Sequence, residues 1–185
     1  MKRLALAAAL LAVVVGGLVA AQLTMTHWYR PWMPARLGRL GFPLSHAEAV
    51  REAAARNRLD PALVAAIIYV ESQFHDRVQS ASGAVGLMQL KFETAAEVAH
   101  QLAMPRLTEQ DLYKPDINLV LGVAYLTRLI AQFKSFKLGL IAYNEGPGMV
   151  LYTLMKHEPL PLEYYRMVLQ SYYTCKKIAE RLDKQ

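Results

Sequence analysis

One carboxyl group of this chain stands where it could act as a general acid. Glu71 lies four residues after Ile67, on an apolar stripe in which Leu63, Ile67, Val70 and Phe74 recur at helical spacing. A carboxyl group on such a face loses contact with water, which favours its neutral form and raises its pKa. A neutral carboxylic acid near pH 7 can protonate a leaving oxygen. The alternative is a glutamate at the edge of the apolar face whose carboxylate reaches solvent, as most glutamates do.

Two glycine-containing turns follow, and each carries groups that bind polar ligands. The first turn, residues 83–90, contains Gln89, and the second, residues 142–148, contains Tyr143 and Asn144. Two amides and a phenol can hydrogen-bond the hydroxyl or N-acetyl groups of sugars. Together with the single acid, they indicate a polysaccharide cleft.

The elements that must position these groups are predicted to be helices. Asp60 and Pro61 form an N-cap and first helical position for the helix that carries Glu71. An earlier helix is predicted from the capping-box pair Ser45 and Glu48 to a stop at Asn57. Further helices are predicted over 92–102, 117–133, 138–143 and 162–182. We therefore expect a mainly α fold, with room for a short hairpin between residues 77 and 86.

Several motifs resemble the soluble lytic transglycosylase (SLT) family in order and spacing, over roughly residues 45–175. They are Glu71-Ser72-Gln73-Phe74 with Ser80, Gly83-Ala84-Val85-Gly86-Leu87-Met88-Gln89-Leu90 with Thr94-Ala95, Asn118 with Gly122, Tyr125 and Leu126, and Ala142-Tyr143-Asn144-Glu145-Gly146-Pro147-Gly148. The resemblance implies a lysozyme-like helical domain that cleaves the β-1,4 bond between N-acetylmuramic acid and N-acetylglucosamine in peptidoglycan. It also implies non-hydrolytic cleavage, in which the muramic acid C6 hydroxyl attacks its own anomeric carbon and leaves a 1,6-anhydro end.

The resemblance also implies roles for individual residues. Glu71 would be the catalytic acid and then the base, which suits a reaction whose nucleophile belongs to the substrate. The phenol of Tyr143 could orient Glu71, and a tyrosine at 164 or 165 would also reach the cleft. No metal and no cofactor are expected. The expected substrate-binding residues are Ser72, Ser80, Gln89, Tyr143, Asn144 and Tyr164. Leu87 and Met88 are expected in the core.

The sequence departs from the family pattern at three places. Lys91-Phe92 stands where the family often has Met-Pro, and Pro161 to Tyr165 shortens the family's C-terminal pattern. Glu145 stands where the family usually has a small residue. It is expected to be a solvated loop charge, with a second carboxylate near the cleft as the alternative.

Two other functions compete with the transglycosylase. The first is a hydrolytic muramidase on the same scaffold, with Glu145 or Asp76 helping water to attack. The second is a non-catalytic peptidoglycan-binding envelope protein. The acid at Glu71 argues against the second, because a binding module has no need of a desolvated carboxyl group.

The N-terminus is predicted to target the chain to the inner membrane. Lys2 and Arg3 precede a charge-free run over residues 4–21, and Trp28 and Trp32 then resemble interfacial anchors. Because the run is longer than a usual signal core, we favour a retained membrane anchor formed by residues 1–25, which would place the domain in the periplasm. The alternative is a signal peptide that is cleaved before Gln22.

Composition narrows the remaining possibilities. Residues 26–44 are interpreted as a linker that is rich in proline and arginine, and residues 45–185 as one domain. The net charge of +6 suits anionic partners such as peptidoglycan and phospholipid, while no motif beyond charge favours nucleic acid. The single Cys175 excludes an internal disulfide and is expected to pack on the last helix.

Overall fold

The computed structural model describes residues 46–182, with side chains to residue 178, as a helical domain. Its elements, in chain order, are α1 (Ala47–Arg56), α2 (Pro61–Ser72), α3 (Phe92–Gln101), a 3-10 helix (Glu109–Tyr113), α4 (Pro115–Phe133), α5 (Phe136–Glu145), α6 (Pro147–Met155) and α7 (Glu163–Leu182). The expectation of a mainly α fold is confirmed. The predicted anchor and linker, and the boundary at residue 45, lie outside the described residues and stay predictions.

Helix α2 is buried along most of its length. Asp60 caps it by accepting a hydrogen bond from the Ala62 amide at 2.8 Å, and Pro61 begins it, as predicted. The predicted apolar stripe understates its burial, because every residue from 62 to 68 is buried. The last turn, which carries Glu71, is partly exposed.

The helices pack in two groups. Helix α7 lies along α2 and also contacts α5, while α4 packs against α1, α3, α5 and the 3-10 helix. Within the described part of the chain, α4 is also long and apolar enough to span a membrane, by length and composition alone. Eight of its residues are buried in this domain, which makes it a core helix here.

Most predicted boundaries agree with the structure to within two residues. The predicted capping box of Ser45 and Glu48 is not observed. The N-cap of α1 is His46, whose side chain makes no capping hydrogen bond, and Ser45 lies outside the described residues. The stop at Asn57 is confirmed. Helix α6 and the 3-10 helix were not predicted. The Gly-Pro-Gly sequence indicated only a turn, whereas Gly146 (φ 87°) reverses the chain and Pro147 at once begins α6.

The segment between α2 and α3 is irregular. Antiparallel bridges pair Gln79 with Val85 and Val85 with Leu90, and no named strand is formed in residues 46–182. The expected hairpin is therefore reduced to isolated bridges. Leu87 and Met88 are fully buried, as expected, and they anchor this segment in the core. Cys175 is also buried, as expected, and burial raises the pKa of its thiol to about 12.

Candidate active site

Glu71 lies at the C-terminal end of α2, where the buried helix reaches a cleft. Burial raises the pKa of its carboxyl from the usual 4.5 to about 7, and a hydrogen bond from Tyr164 opposes part of this rise. The pKa therefore lies where the carboxyl can both give and take a proton near neutral pH. The prediction of a desolvated acid at this position agrees with the geometry.

The phenol that contacts this acid comes from α7. Tyr164 Oη donates a hydrogen bond of 2.6 Å to Glu71 Oε1, and the Tyr164 side chain is itself buried. Burial, together with the nearby charge of Glu71, raises the pKa of Tyr164 well above its usual range, so the phenol stays protonated and acts as a donor. Tyr164 was expected to bind substrate, but it is not among the residues that line the cleft and contacts Glu71 instead. The ring of the neighbouring Tyr165 lies 5.9 Å from the Lys137 ammonium.

Tyr143 has a different partner from the one expected. Its hydroxyl donates to the Met88 carbonyl oxygen at 2.7 Å and is therefore not the phenol that holds Glu71. The Tyr143 ring lies 5.4 Å from the ring of Tyr125, and both rings line the cleft. Tyr143 thus joins α5 to the glycine-containing turn and forms part of the cleft wall.

The cleft beside Glu71 has a volume of about 310 Å³. Four of the expected substrate-binding side chains line it with the acid: Ser80, Gln89, Tyr143 and Asn144. It is also lined by residues to which the sequence assigned no role, namely Ser82, Ala84, Leu90, Lys91, Thr94, Tyr125 and Gly146. Thr94 and Tyr125 belong to the motifs quoted above, which was the signal for them; Ser82 gave none.

Gln89 is held at the cleft by the backbone of its own turn. Its side-chain nitrogen donates to the carbonyl oxygen of Gly86 at 2.8 Å and to that of Val78 at 3.3 Å. Gln89 itself has a positive φ of 47°. With its nitrogen engaged, the amide oxygen is the group that Gln89 can offer to a ligand.

A buried amide fixes this turn on α4. Asn118 is fully buried, accepts a hydrogen bond from the Met88 amide at 2.8 Å, and donates to the carbonyl oxygens of Val85 and Leu112 at 2.9 Å each. Gly86 (φ 81°) lies directly against it, and a Cβ there would meet the Asn118 amide and lie 2.5 Å from the Leu112 oxygen. The turn therefore requires both residues.

Ser72 does not reach the cleft. It is buried, and its hydroxyl lies 2.9 Å from the Leu87 carbonyl oxygen and 3.1 Å from that of Ile68. The expected contact with substrate is thus replaced by a contact that joins the end of α2 to the turn. Ser80 does line the cleft, where its hydroxyl accepts from the Ala84 amide at 3.0 Å and lies 3.1 Å from the Ser82 hydroxyl.

Glu145 lies in the cleft wall and is exposed. Its Oε1 accepts a hydrogen bond from Asn144 Nδ2 at 2.8 Å. The sequence offered a solvated loop charge or a second carboxylate near the cleft, and Glu145 has both properties. Asp76, the other acid considered for a hydrolase, is not among the residues that line this cleft.

The site is a polar cleft in a helical domain, with one partly buried acid at the end of a buried helix, an arrangement that can exchange a proton with a bound polar ligand. The family model for the Transglycosylase SLT domain matches residues 48–158. The chain therefore belongs to the transglycosylase SLT family and has its lysozyme-like fold, as the resemblance implied.

Individual relatives agree with this assignment. Membrane-bound lytic murein transglycosylase E of Buchnera aphidicola is 30% identical over an alignment of 118 residues, and the match covers 59% of this chain and 53% of the relative. Endo-type membrane-bound lytic murein transglycosylase A of Klebsiella pneumoniae is 31% identical over 147 residues, or 73% of this chain and 69% of the relative. This chain thus spans about half the length of the first relative and more of the second.

Solved structures show the same fold. An inactive mutant of the lytic transglycosylase Slt from Pseudomonas aeruginosa superposes with a TM-score of 0.58 at 27% identity, and the match covers 86% of this chain and 28% of that protein. The 70 kDa soluble lytic transglycosylase of Escherichia coli matches in fold with a TM-score of 0.58 at 24% identity. Helices α1 to α7 therefore correspond to a part of these larger proteins.

Proposed function

We propose that this protein is a peptidoglycan lytic transglycosylase. It cleaves the β-1,4 bond between N-acetylmuramic acid and N-acetylglucosamine and leaves a 1,6-anhydro end. The observation that carries the proposal is the Glu71 carboxyl, a partly buried acid with a pKa of about 7 at the cleft. Family membership supports the same chemistry.

The reaction needs one group that acts first as an acid and then as a base. Glu71 gives its proton to the glycosidic oxygen, the bond from that oxygen to the muramic acid C1 breaks, and N-acetylglucosamine leaves as an alcohol. The C6 hydroxyl oxygen then bonds to C1 and returns a proton to Glu71. No water is consumed, and the carboxyl group ends in its starting state. A pKa near 7 suits both steps, since neither protonation state is strongly favoured there.

The surrounding residues would divide into two groups. Ser80, Gln89 and Asn144 would bind the sugars, since their polar groups line the cleft. Tyr164 and Ser72 would act as positioning residues, because one donates to Glu71 and the other joins its helix end to the turn. Tyr143 would form the wall on which the substrate rests.

A hydrolytic muramidase is the second candidate. One observation favours it, namely that Glu145 lines the same cleft as Glu71 and could assist a water molecule. Product mass separates the two functions, because an anhydro end is one water lighter than a reducing end. Detergent-solubilised full-length protein is incubated with purified peptidoglycan, and the soluble products are weighed by mass spectrometry. Anhydro products are expected, whereas reducing ends alone would establish the hydrolase. Glu71→Gln is the inactive control.

We also propose that the enzyme works in the periplasm, held at the inner membrane by residues 1–25. The apolar run over residues 4–21 and the tryptophans that follow it support this arrangement. Sequencing the N-terminus of protein from the native host tests it. A chain that still carries residues 1–21 and sediments with the inner membrane is expected, while a soluble chain that begins at Gln22 would show a cleaved signal.

A further inference from the structure

A second cavity adjoins the cleft. It has a volume of about 410 Å³ and shares two lining residues, Ser82 and Lys91, with the cleft that holds Glu71. We call this cavity the side pocket. Because the two cavities share part of their walls, a substituent on a sugar bound in the cleft could extend into the side pocket.

Lys91 brings a positive charge to the junction of the two cavities. Among the described residues that line either cavity, it is the only lysine or arginine. It is exposed, precedes α3 as its N-cap residue, and forms no ion pair within residues 46–178. Its ammonium is therefore available to an anionic ligand group.

Two acids also line the side pocket. Glu93 and Glu109 line it, together with the neutral Gln79 and Gln110. Two carboxylates would repel a polyanion such as nucleic acid or a phospholipid surface. A pocket lined by one cation, two carboxylates and two amides fits a ligand that carries both carboxylates and an amine, such as a short peptide with a diamino acid.

We propose that the side pocket binds the peptide stem of the substrate, with Lys91 contacting a stem carboxylate. This inference rests on the proposed function, since the stem branches from the lactyl group of the muramic acid whose bond is cleaved. The sugar rings and their N-acetyl groups are neutral, so they have no use for an ammonium group. The stem is the charged part of the strand, and Lys91 is where it would leave the cleft.

The test compares two substrates that differ only in stem charge. One is a preparation of glycan strands with native stems, and the other is the same preparation after its stem carboxylates have been converted to amides. Full-length protein is used, and kcat/KM is taken from the release of anhydro ends. The wild type is expected to prefer the native stems by about threefold to fivefold, the size of an exposed charge contact. Lys91→Met should bring the ratio of the two kcat/KM values to about one, mainly through KM.

Control variants make the outcome specific. Lys91→Arg should keep most of the preference, and Lys177→Met, an exposed lysine of α7 that lines neither cavity, should keep all of it. A Lys91→Met enzyme that retains the wild-type ratio, or a wild type without a preference, would overturn the inference. A wild type that releases no anhydro ends from either substrate would instead contradict the proposed function.

Discussion

Tyr164 Oη lies 2.6 Å from Glu71 Oε1, although the two residues stand 93 positions apart in the chain. Helix α7 carries the phenol, helix α2 carries the acid, and the two helices pack along each other. Since burial holds Tyr164 in its protonated form, the bond has a fixed direction, from the phenol to the carboxyl. The bond therefore fixes which oxygen of Glu71 faces the protein and leaves the other for the substrate.

Replacing this phenol should change the pH dependence of cleavage. Glu71 must be protonated to act as an acid, so activity is present below its pKa of about 7 and is lost as the pH rises through it. The Tyr164 hydrogen bond lowers this pKa, so Tyr164→Phe should raise it and move the alkaline limb to higher pH. We expect kcat at the optimum to fall by about 10-fold to 100-fold, since hydrogen bonds to charged groups contribute about 1.5–3 kcal/mol.

The measurement is the rate of anhydro-end release from pH 5 to pH 9, with kcat and KM determined separately. Tyr165→Phe is the matched control, because it removes the neighbouring phenol and leaves Glu71 with its partner. An alkaline limb that stays in place or moves to lower pH in Tyr164→Phe would contradict a role for this hydrogen bond at Glu71.

Glu71 should also make the fold less stable as the pH rises. Its pKa is raised from 4.5 to about 7 in the folded state, so the fold favours the neutral form. The associated stability is fully present below about pH 4.5 and is lost as the pH rises through about 7. Glu71→Gln, which stays neutral, should therefore be more stable than wild type by up to about 3 kcal/mol at pH 8.

Urea denaturation at pH 4.5 and at pH 8 measures this difference, which should nearly vanish at the lower pH. Glu145→Gln is the control, because this carboxylate lines the same cleft but is exposed. Equal stabilities of Glu71→Gln and wild type at pH 8 would show that the Glu71 carboxyl is better solvated than its position indicates.

Helix α2 and its acid, Glu71, could be predicted from neighbouring residues in the sequence. Asp60 caps and Pro61 begins this helix because both effects depend only on neighbouring residues. The hydrogen-bond partner of Glu71 was harder to predict, because it depends on the packing of α7 against α2, which are far apart in the sequence. The sequence therefore left Tyr164 and Tyr165 undecided and assigned the orienting phenol to Tyr143, which bonds the Met88 carbonyl instead.

The same limit applies to the polar groups that hold the site together. The Ser72 hydroxyl was expected to face substrate, since a serine beside the catalytic acid has the right chemistry. The Ser72 hydroxyl is buried because the loop that contains Leu87 packs against the end of α2. The position of this loop cannot be read from the spacing of residues along the chain. Asn118 belongs to a recognised motif, yet its three bonds to the turn appear only in three dimensions.

Asn118→Ala should destabilise the domain and disrupt the turn that carries Gln89. The change removes the partners of the Met88 amide and of the Leu112 carbonyl oxygen, while the Val85 carbonyl oxygen keeps its hydrogen bond from the Leu90 amide at 3.0 Å. Each buried polar group left unsatisfied costs about 1–3 kcal/mol, so we expect a loss of at least about 2 kcal/mol in the free energy of unfolding. Thermal and urea denaturation measure it, with the exposed Asn144→Ala as the control. A loss below about 1 kcal/mol would show that water or the backbone replaces the amide.

Glu145 provides the sharpest test of the one-acid mechanism. It lines the cleft with Glu71, but it is exposed and its Oε1 is engaged by Asn144 Nδ2 at 2.8 Å. If bond making needs only Glu71, Glu145→Ala should alter KM by no more than about fivefold, the size of an exposed charge contact. Any shift in the pH optimum should be correspondingly small. The products should still carry anhydro ends.

Glu145→Ala and Glu71→Gln are assayed side by side on the same peptidoglycan, by rate and by product mass. Glu71→Gln should lose at least about 10²-fold in rate, since general acid–base catalysis contributes about 10²–10⁴-fold. Glu145→Gln, which keeps an acceptor for Asn144, separates the loss of charge from the loss of the hydrogen bond. If Glu145→Ala lost as much activity as Glu71→Gln while both variants stayed folded, two carboxylates would be required. The reaction would then be assigned to a muramidase that uses water, because a substrate-borne nucleophile needs only the acid at Glu71.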